Sequence, residues 1–217
     1  MEAHMKKDII TRHKLFVTDI EKEQAFIDSY REKGYKLVGL SPFTYKYVFK
    51  KCDDAFIPHV RIDYRIFNKI EEYQDYVTFF GDAGWKHIRG SKYSGVQYFE
   101  QTNADITEEL FSDKQSYAEL YRRIYRFSMY NIVVWVCLFV ATINSYDIRL
   151  LLRPKELFLT PGLWDSSGIK FVFGFLFELP FVILRNGGPF IALIFLIVFI
   201  VCTIKAKIKE KKYMQKV

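Results

Sequence analysis

The sequence predicts an α+β domain, a duplicated strand–helix–strand–strand unit forming an antiparallel sheet with two helices, followed by an α-helical membrane hairpin. Three observations predict it. The first half repeats its pattern of helix starts, glycines and aromatics at a spacing of 50 positions. Two uncharged apolar runs, Phe127–Ile143 and Pro189–Ile204, stand in the second half. Each run carries a basic flank, Arg122, Arg123 and Arg126 before the first and Lys205, Lys207 and Lys209 after the second.

The 217 residues divide accordingly. Residues 1–111 are the duplicated domain, with repeats at about 13–51 and 63–101. Residues 112–144 are a stalk helix and first span, 145–188 an extracytoplasmic loop, 189–204 the second span and 205–217 a basic tail. Charge follows the division. Residues 1–126 hold 21 Lys/Arg against 20 Asp/Glu, whereas 127–217 hold 11 against 5, so most of the net +7 lies in the membrane-associated half. A near-neutral first domain argues against nucleic acid as a partner, because phosphate binding needs a basic face.

In register, Gln24 matches Gln74, Gly34 matches Gly84, Lys36 matches Lys86, Ser41 matches Ser91 and Phe49 matches Phe99. His13–Val17 and Arg61–Phe67 read as strands, rich in β-branched and aromatic residues. Thr18 with Glu21, and Asn68 with Glu71, have the spacing of an N-cap and its N3 glutamate. Amphipathic helices follow over Glu21–Lys33 and Ile70–Ala83, with apolar stripes at Phe26, Ile27 and Tyr30 and at Tyr73, Tyr76, Val77 and Phe80. Gly34 and Gly84 sit where a left-handed residue stops each helix, and Tyr35 and Trp85 begin the next strand as repeat-core aromatics. Hairpins pair Tyr35–Leu40 with Tyr45–Lys50 and Trp85–Arg89 with Gly95–Glu100, through turns at Ser41-Pro42 and Ser94-Gly95. A single sheet of about six strands with both helices on one face is the expected assembly. Its other face, carrying Tyr45, Tyr47, Tyr64 and Tyr98, is either wet or covered by a partner or second copy.

The second half begins with capping-box spacing at Ser112–Gln115 and a helix expected to run into the first span. Seventeen residues at about 1.5 Å each give roughly 25 Å, the short end of a bilayer core. The three arginines are expected at lipid headgroups, each contributing about 1 kcal/mol against an anionic leaflet. Basic flanks on both runs place both termini in the cytoplasm, which requires an even number of crossings. Ile169–Leu184 is apolar too, but contains Glu178 beside Pro180 and ends at Arg185. It is therefore read as interfacial or re-entrant, with Glu178 the candidate intramembrane or interfacial polar residue.

No catalytic or metal site is expected and no cofactor is implied. Walker loops, GxSxG elbows and HExxH helices are absent, and His4, His13, His59 and His87 read as surface or strand histidines. Cys52, Cys137 and Cys202 form no CxxC pair, which fits a reducing compartment.

Several short segments carry a family resemblance: the helix opening EKEQAF (Glu21–Phe26), the helix ends KGY and AGW, the strands YKYVF and VQYF, and Glu109–Ser116 leading into YAELYRRIYRF. Residues 13–126 resemble the bacterial domain-of-unknown-function family 2812. The resemblance implies a cytosolic domain anchored by membrane helices, with no established activity. Family members are often encoded beside PadR-like regulators, which implies a role in envelope stress or drug response. The paired layout is also similar to gyrase-inhibitor-like effector-binding domains, a likeness of fold alone. The expectation is a non-enzymatic protein of the bacterial inner membrane. Its cytosolic domain would bind a ligand or partner between the repeats and relay the event through the Ser112–Phe127 stalk. The lipid bilayer is the first partner; another membrane protein, a regulator or a second copy are further candidates. The alternatives are a structural or immunity-type membrane protein, or an accessory transporter subunit.

Overall fold

The computed structural model describes residues 8–41, 44–144 and 153–215. Pro42, Phe43, His4 and the first part of the 145–188 loop lie outside the described residues. The chain forms two compact units, Met1–Ile124 with Ala206–Val217, and Tyr125–Lys205.

In the first unit, β1 (Ile9–His13), α1 (Ile20–Arg31), β2 (Tyr35–Ser41) and β3 (Lys46–Lys51) are followed by β4 (Val60–Tyr64), α2 (Ile70–Asp82), β5 (Trp85–Arg89) and β6 (Val96–Gln101). The strands make two separate three-stranded antiparallel sheets, ordered β1-β3-β2 and β4-β6-β5, rather than one sheet of six. The reason lies at β4. Its outer edge is met by α1, where Gln24 Oε1 accepts the Ile62 N–H at 2.9 Å, so no strand can extend the second sheet there. Irregularities fall at Leu37/Gly39 in β2 and at His87/Arg89 in β5.

Two local expectations are corrected. The first strand is Ile9–His13, not His13–Val17, because β3 pairs Lys46 with His13 and Lys50 with Ile9. Leu15 and Val17 have strand-like chemistry but are exposed, while Phe16 turns in against Phe26 and Tyr47. Similarly, β4 ends at Tyr64, although Arg65 and Phe67 still donate backbone N–H groups to the Gly95 and Lys92 carbonyls. Neither N-terminal capping box forms. Asp19 and Lys69 occupy the cap positions without side-chain hydrogen bonds to the first-turn N–H groups, and Thr18 lies at φ 55°.

Gly34 (φ 82°) and Gly84 (φ 86°) turn the chain after α1 and α2 in the left-handed region. Their carbonyls accept from the Cys52 N–H at 2.9 Å and the Thr102 N–H at 3.0 Å, tying each helix end to the residue just after the central strand of its sheet. Phe49 and Phe99 are fully buried. Tyr30 stacks on Phe49 at 4.3 Å, and Phe67, Tyr76, Phe80, Trp85 and Leu110 surround Phe99. The tyrosine-bearing face is not wet. Tyr47, Tyr64 and Tyr98 are buried and only Tyr45 is exposed.

A long helix, α3 (Lys114–Ile143), crosses from the first unit into the second. Asp113 rather than Ser112 caps it, accepting the Ser116 N–H and hydroxyl, both at 2.7 Å. In the second unit a short 3-10 helix, Pro154–Leu157, precedes α4 (Gly168–Asn186) and α5 (Gly188–Met214). Phe127 packs on Phe199 and Trp135 stacks on Phe195 at 4.4 Å, so α3 and α5 run antiparallel side by side. Away from this seam Val133, Val134, Leu138, Ile194 and Ile197 are exposed, an apolar surface that needs covering. Among the described residues, α3 and α5 are the two helices long and apolar enough to cross a membrane. α4 is one unbroken helix despite Pro180, and it carries Lys170, Glu178 and Arg185.

Candidate functional site

A cavity of about 1150 Å³ opens in the first unit, walled by α2 and by the first turns of α3. Helix α2 contributes Glu72, Asp75, Tyr76 and Phe79, and α3 contributes Gln115, Glu119 and Arg123. At its edge, Asp63 on β4 is buried and accepts three hydrogen bonds, each 2.7 Å: Arg123 Nη2, the Tyr76 hydroxyl and the Tyr64 N–H. Arg123 also donates Nε to the Tyr64 carbonyl at 2.7 Å. A buried carboxylate requires such a set of donors, and here they come from a strand, α2 and the stalk at once.

The cavity's charge is uneven. Its lining holds five carboxylates and two arginines. Arg123 is committed to Asp63, and Arg65 lies over the Phe67 and Tyr76 rings at 5.8 and 5.5 Å. Glu119 pairs with Arg122, and Asp113 is used as the helix cap. Glu72 and Asp75 have no ion-pair partner among the described residues, and Phe79 beside them is exposed. Uncompensated acid next to bare aromatic surface favours a cation with an apolar body.

Two further polar clusters join the halves of this unit. Glu23 on α1 is buried and accepts the Tyr47 hydroxyl from the first sheet and the Tyr98 hydroxyl from the second, each at 2.7 Å. Burial raises the Glu23 carboxyl above its ordinary value, and the two tyrosine bonds only partly offset that. Asp28, one turn on, receives Arg61 Nη1 at 2.9 Å and faces His59 Nδ1 at 3.0 Å. His59 is therefore a buried partner of a carboxylate rather than a surface histidine.

The basic tail is placed by the same unit. Lys209 reaches Asp19 at 3.0 Å and Glu21 at 3.1 Å. Tyr213 donates to Glu21 at 3.0 Å and stacks on Tyr117 and Tyr121. Glu210 is buried between Arg122 at 3.1 Å and Lys207 at 2.8 Å.

The singled-out residues thus separate. Arg122 and Arg123 are engaged with Glu210 and Asp63, while Arg126 and Lys205 are exposed. Lys207 and Lys209 hold the tail to the domain. Trp85 is buried in the second core and Tyr35 is half-buried, with Gly34 and Gly84 beside them in their turns. Glu178 lies far along the chain in the second unit, where it accepts the backbone N–H groups of Leu159 and Thr160. It is a satisfied carboxylate pinning a loop to α4, a role helped by Arg185, which donates to the Leu157 carbonyl. No group of three or more His, Cys, Asp or Glu among the described residues is arranged to share a metal ion. The cavity itself was not visible in the sequence, since it needs Asp63, Tyr76 and Arg123 from three elements. The one available signal was Arg123 inside an otherwise amphipathic stalk.

Comparison with curated proteins and with solved structures finds no match. A family model described as "Protein of unknown function (DUF2812)" matches residues 19–133, from the cap of α1 through the sheets and the cavity to the middle of α3. That match takes in more than half of the chain, and the protein belongs to the DUF2812 family.

Proposed function

We propose that the protein is a non-enzymatic sensor of the bacterial inner membrane. Its cytosolic domain binds an organic cation with an apolar body in the cleft between α2 and α3. The observation that carries this reading is that α3 forms one wall of the cleft and continues as a single helix, Lys114–Ile143, into the apolar run. A ligand seated against Glu72, Asp75 and Phe79 presses on the helix that holds Arg123 to Asp63, so occupancy is felt by the stalk. The cleft lies against the second strand–helix–strand–strand unit and the stalk, not between the two units.

Two parts of the reading have support of their own. The halves of the domain are taken to descend from one unit. Their strand orders correspond, their irregularities fall at Leu37/Gly39 and His87/Arg89, and their left-handed turns fall at Gly34, Gly84, Tyr45 and Gly95, each at the same spacing. Both ends of the helical hairpin are taken to be cytoplasmic. In favour of this, the segment after the second apolar run folds into the same unit as the chain before the first.

The test uses the full chain in lipid nanodiscs and tetraphenylphosphonium as probe, with empty nanodiscs subtracting partition into lipid. Saturable binding is expected. Glu72→Gln with Asp75→Asn, and separately Phe79→Ala, should each weaken it about tenfold, equivalent to about 1.4 kcal/mol. Absence of saturable binding, or binding indifferent to these changes, would sink the ligand class.

A further inference from the structure

Helix α1 has two working faces. Phe26 and Tyr30 pack on its own sheet, at Phe49. The other face, Ile20, Gln24, Ile27 and Asp28, covers the outer edge of β4 in the second half, through the Gln24 bond to Ile62 N–H and the Asp28 bonds to Arg61 and His59. Ile20 and Ile27 are 6% and 3% exposed there, and every residue of β4 is buried.

Among the described residues, the corresponding surfaces elsewhere in the same unit are largely uncovered. On α2, Tyr76 and Phe80 pack on their own sheet at Phe99, as Phe26 and Tyr30 do. The second face of α2 comprises Ile70, Gln74, Val77 and Thr78, 50 positions after the four residues of α1, with Val77 partly buried at its margin against the core around Phe99. Ile70 is 46% exposed, Gln74 and Thr78 are exposed, and a Cβ placed at Gly81 on this face would meet nothing within 4 Å. The first half likewise offers an edge that no described residue covers with a strand or helix. β1 is the outer strand of its sheet and four of its five residues are exposed. Thr11 pairs with Val48 as Ile62 pairs with Tyr98, so Thr11 holds the ladder position at which Gln24 docks on the other sheet. One chain therefore carries an unused helix face and an unused strand edge, and the pair that would match them is already joined within it.

We infer that these two surfaces meet between two copies of the chain. The α2 face of each copy covers the β1 edge of the other, closing four strand–helix–strand–strand units into a two-fold ring. Charge agrees with that occupant. Helix α2 flanks this face with Glu71 and Asp82 and contains no basic residue, whereas residues 9–17 contain Arg12 and Lys14 and no acidic one. The inference rests on the equivalence of the two halves and not on the ligand cleft, which uses the opposite side of α2.

The test is the mass of the purified full chain, in detergent with the micelle contribution subtracted. A dimer is expected. Gly81→Arg, at a position with open space around it, should convert the dimer to monomer while helix content by circular dichroism is unchanged. With Cys52, Cys137 and Cys202 replaced by Ser, the double variant Thr11→Cys/Gln74→Cys should give an inter-chain disulfide on oxidation that neither single variant gives. A monomeric wild type, which would leave the face to some other protein, overturns the inference. A dimer that survives Gly81→Arg, or an open series of larger oligomers, overturns it as well.

Discussion

Glu23 shows how a single ionisable side chain is used to join two sheets. Its carboxylate collects one tyrosine hydroxyl from each sheet in a place shielded from water. Because burial raises its pKa, the folded protein holds the proton at pH values where the unfolded chain, with an ordinary value of 4.5, has released it. Ionised Glu23 therefore costs stability, and the cost grows as pH rises from the unfolded value through the folded one. Glu23→Gln keeps an acceptor for both hydroxyls and removes the charge. It should raise the melting temperature by about 3 °C near neutral pH and have no effect near pH 4, as read by circular dichroism. A variant less stable than wild type near neutrality would contradict this account. Residues of this kind were the least legible in the sequence. Glu23 sits within the solvated-looking string EKEQ, and Tyr47 and Tyr98 read as an open face. Only packing of α1 between the two sheets turns them inward.

At the scale of elements, helices and hairpins were legible because glycine, aromatic and apolar spacing all agree there. The starts of elements were not. A strand edge is set by its partner, so β1 follows the extent of β3, and apolar Leu15 and Val17 misled. The caps failed for a related reason: Glu21 is used by a segment almost two hundred residues away. Burial alone would raise the Asp19 and Glu21 carboxyls, but the Lys209 hydrogen bond and charge outweigh it, and both lie below their ordinary values. Their contribution is present above the unfolded carboxylate range and is lost as pH falls through the folded values. Lys209→Glu should cost about 1 kcal/mol, a modest figure because Glu21 remains partly solvated. It should also free the tail for cleavage by trypsin at neutral pH, and acidification of the wild type should loosen the same contact. Tail protection unchanged in the variant would exclude the clamp.

For the whole molecule, the sequence conveyed the division into a mixed domain and an apolar helical pair, which depends on composition alone. It could not convey that two small sheets replace one, since that turns on Gln24 reaching the edge of β4. Nor could it assign the region around Glu178, whose cost is removed by two backbone donors. The number of crossings is open to direct measurement. In a background without native cysteines, Asp165→Cys should react with an impermeant maleimide in intact cells. Gln215→Cys should react only after permeabilisation. Labelling of the second position in intact cells would require three crossings instead of two.

The bond between Lys209 and Asp19 joins positions 190 apart in the chain. During synthesis, the acidic start of α1 must wait until everything between has left the ribosome, including both apolar runs. Local sheets can form early, whereas this closure is among the last contacts made. The domain's final packing thus follows synthesis of the helical pair, and a chain halted before residue 209 keeps Asp19, Glu21 and the tyrosines of the stalk without their C-terminal partners. Exposure of that patch distinguishes an unfinished molecule from a finished one.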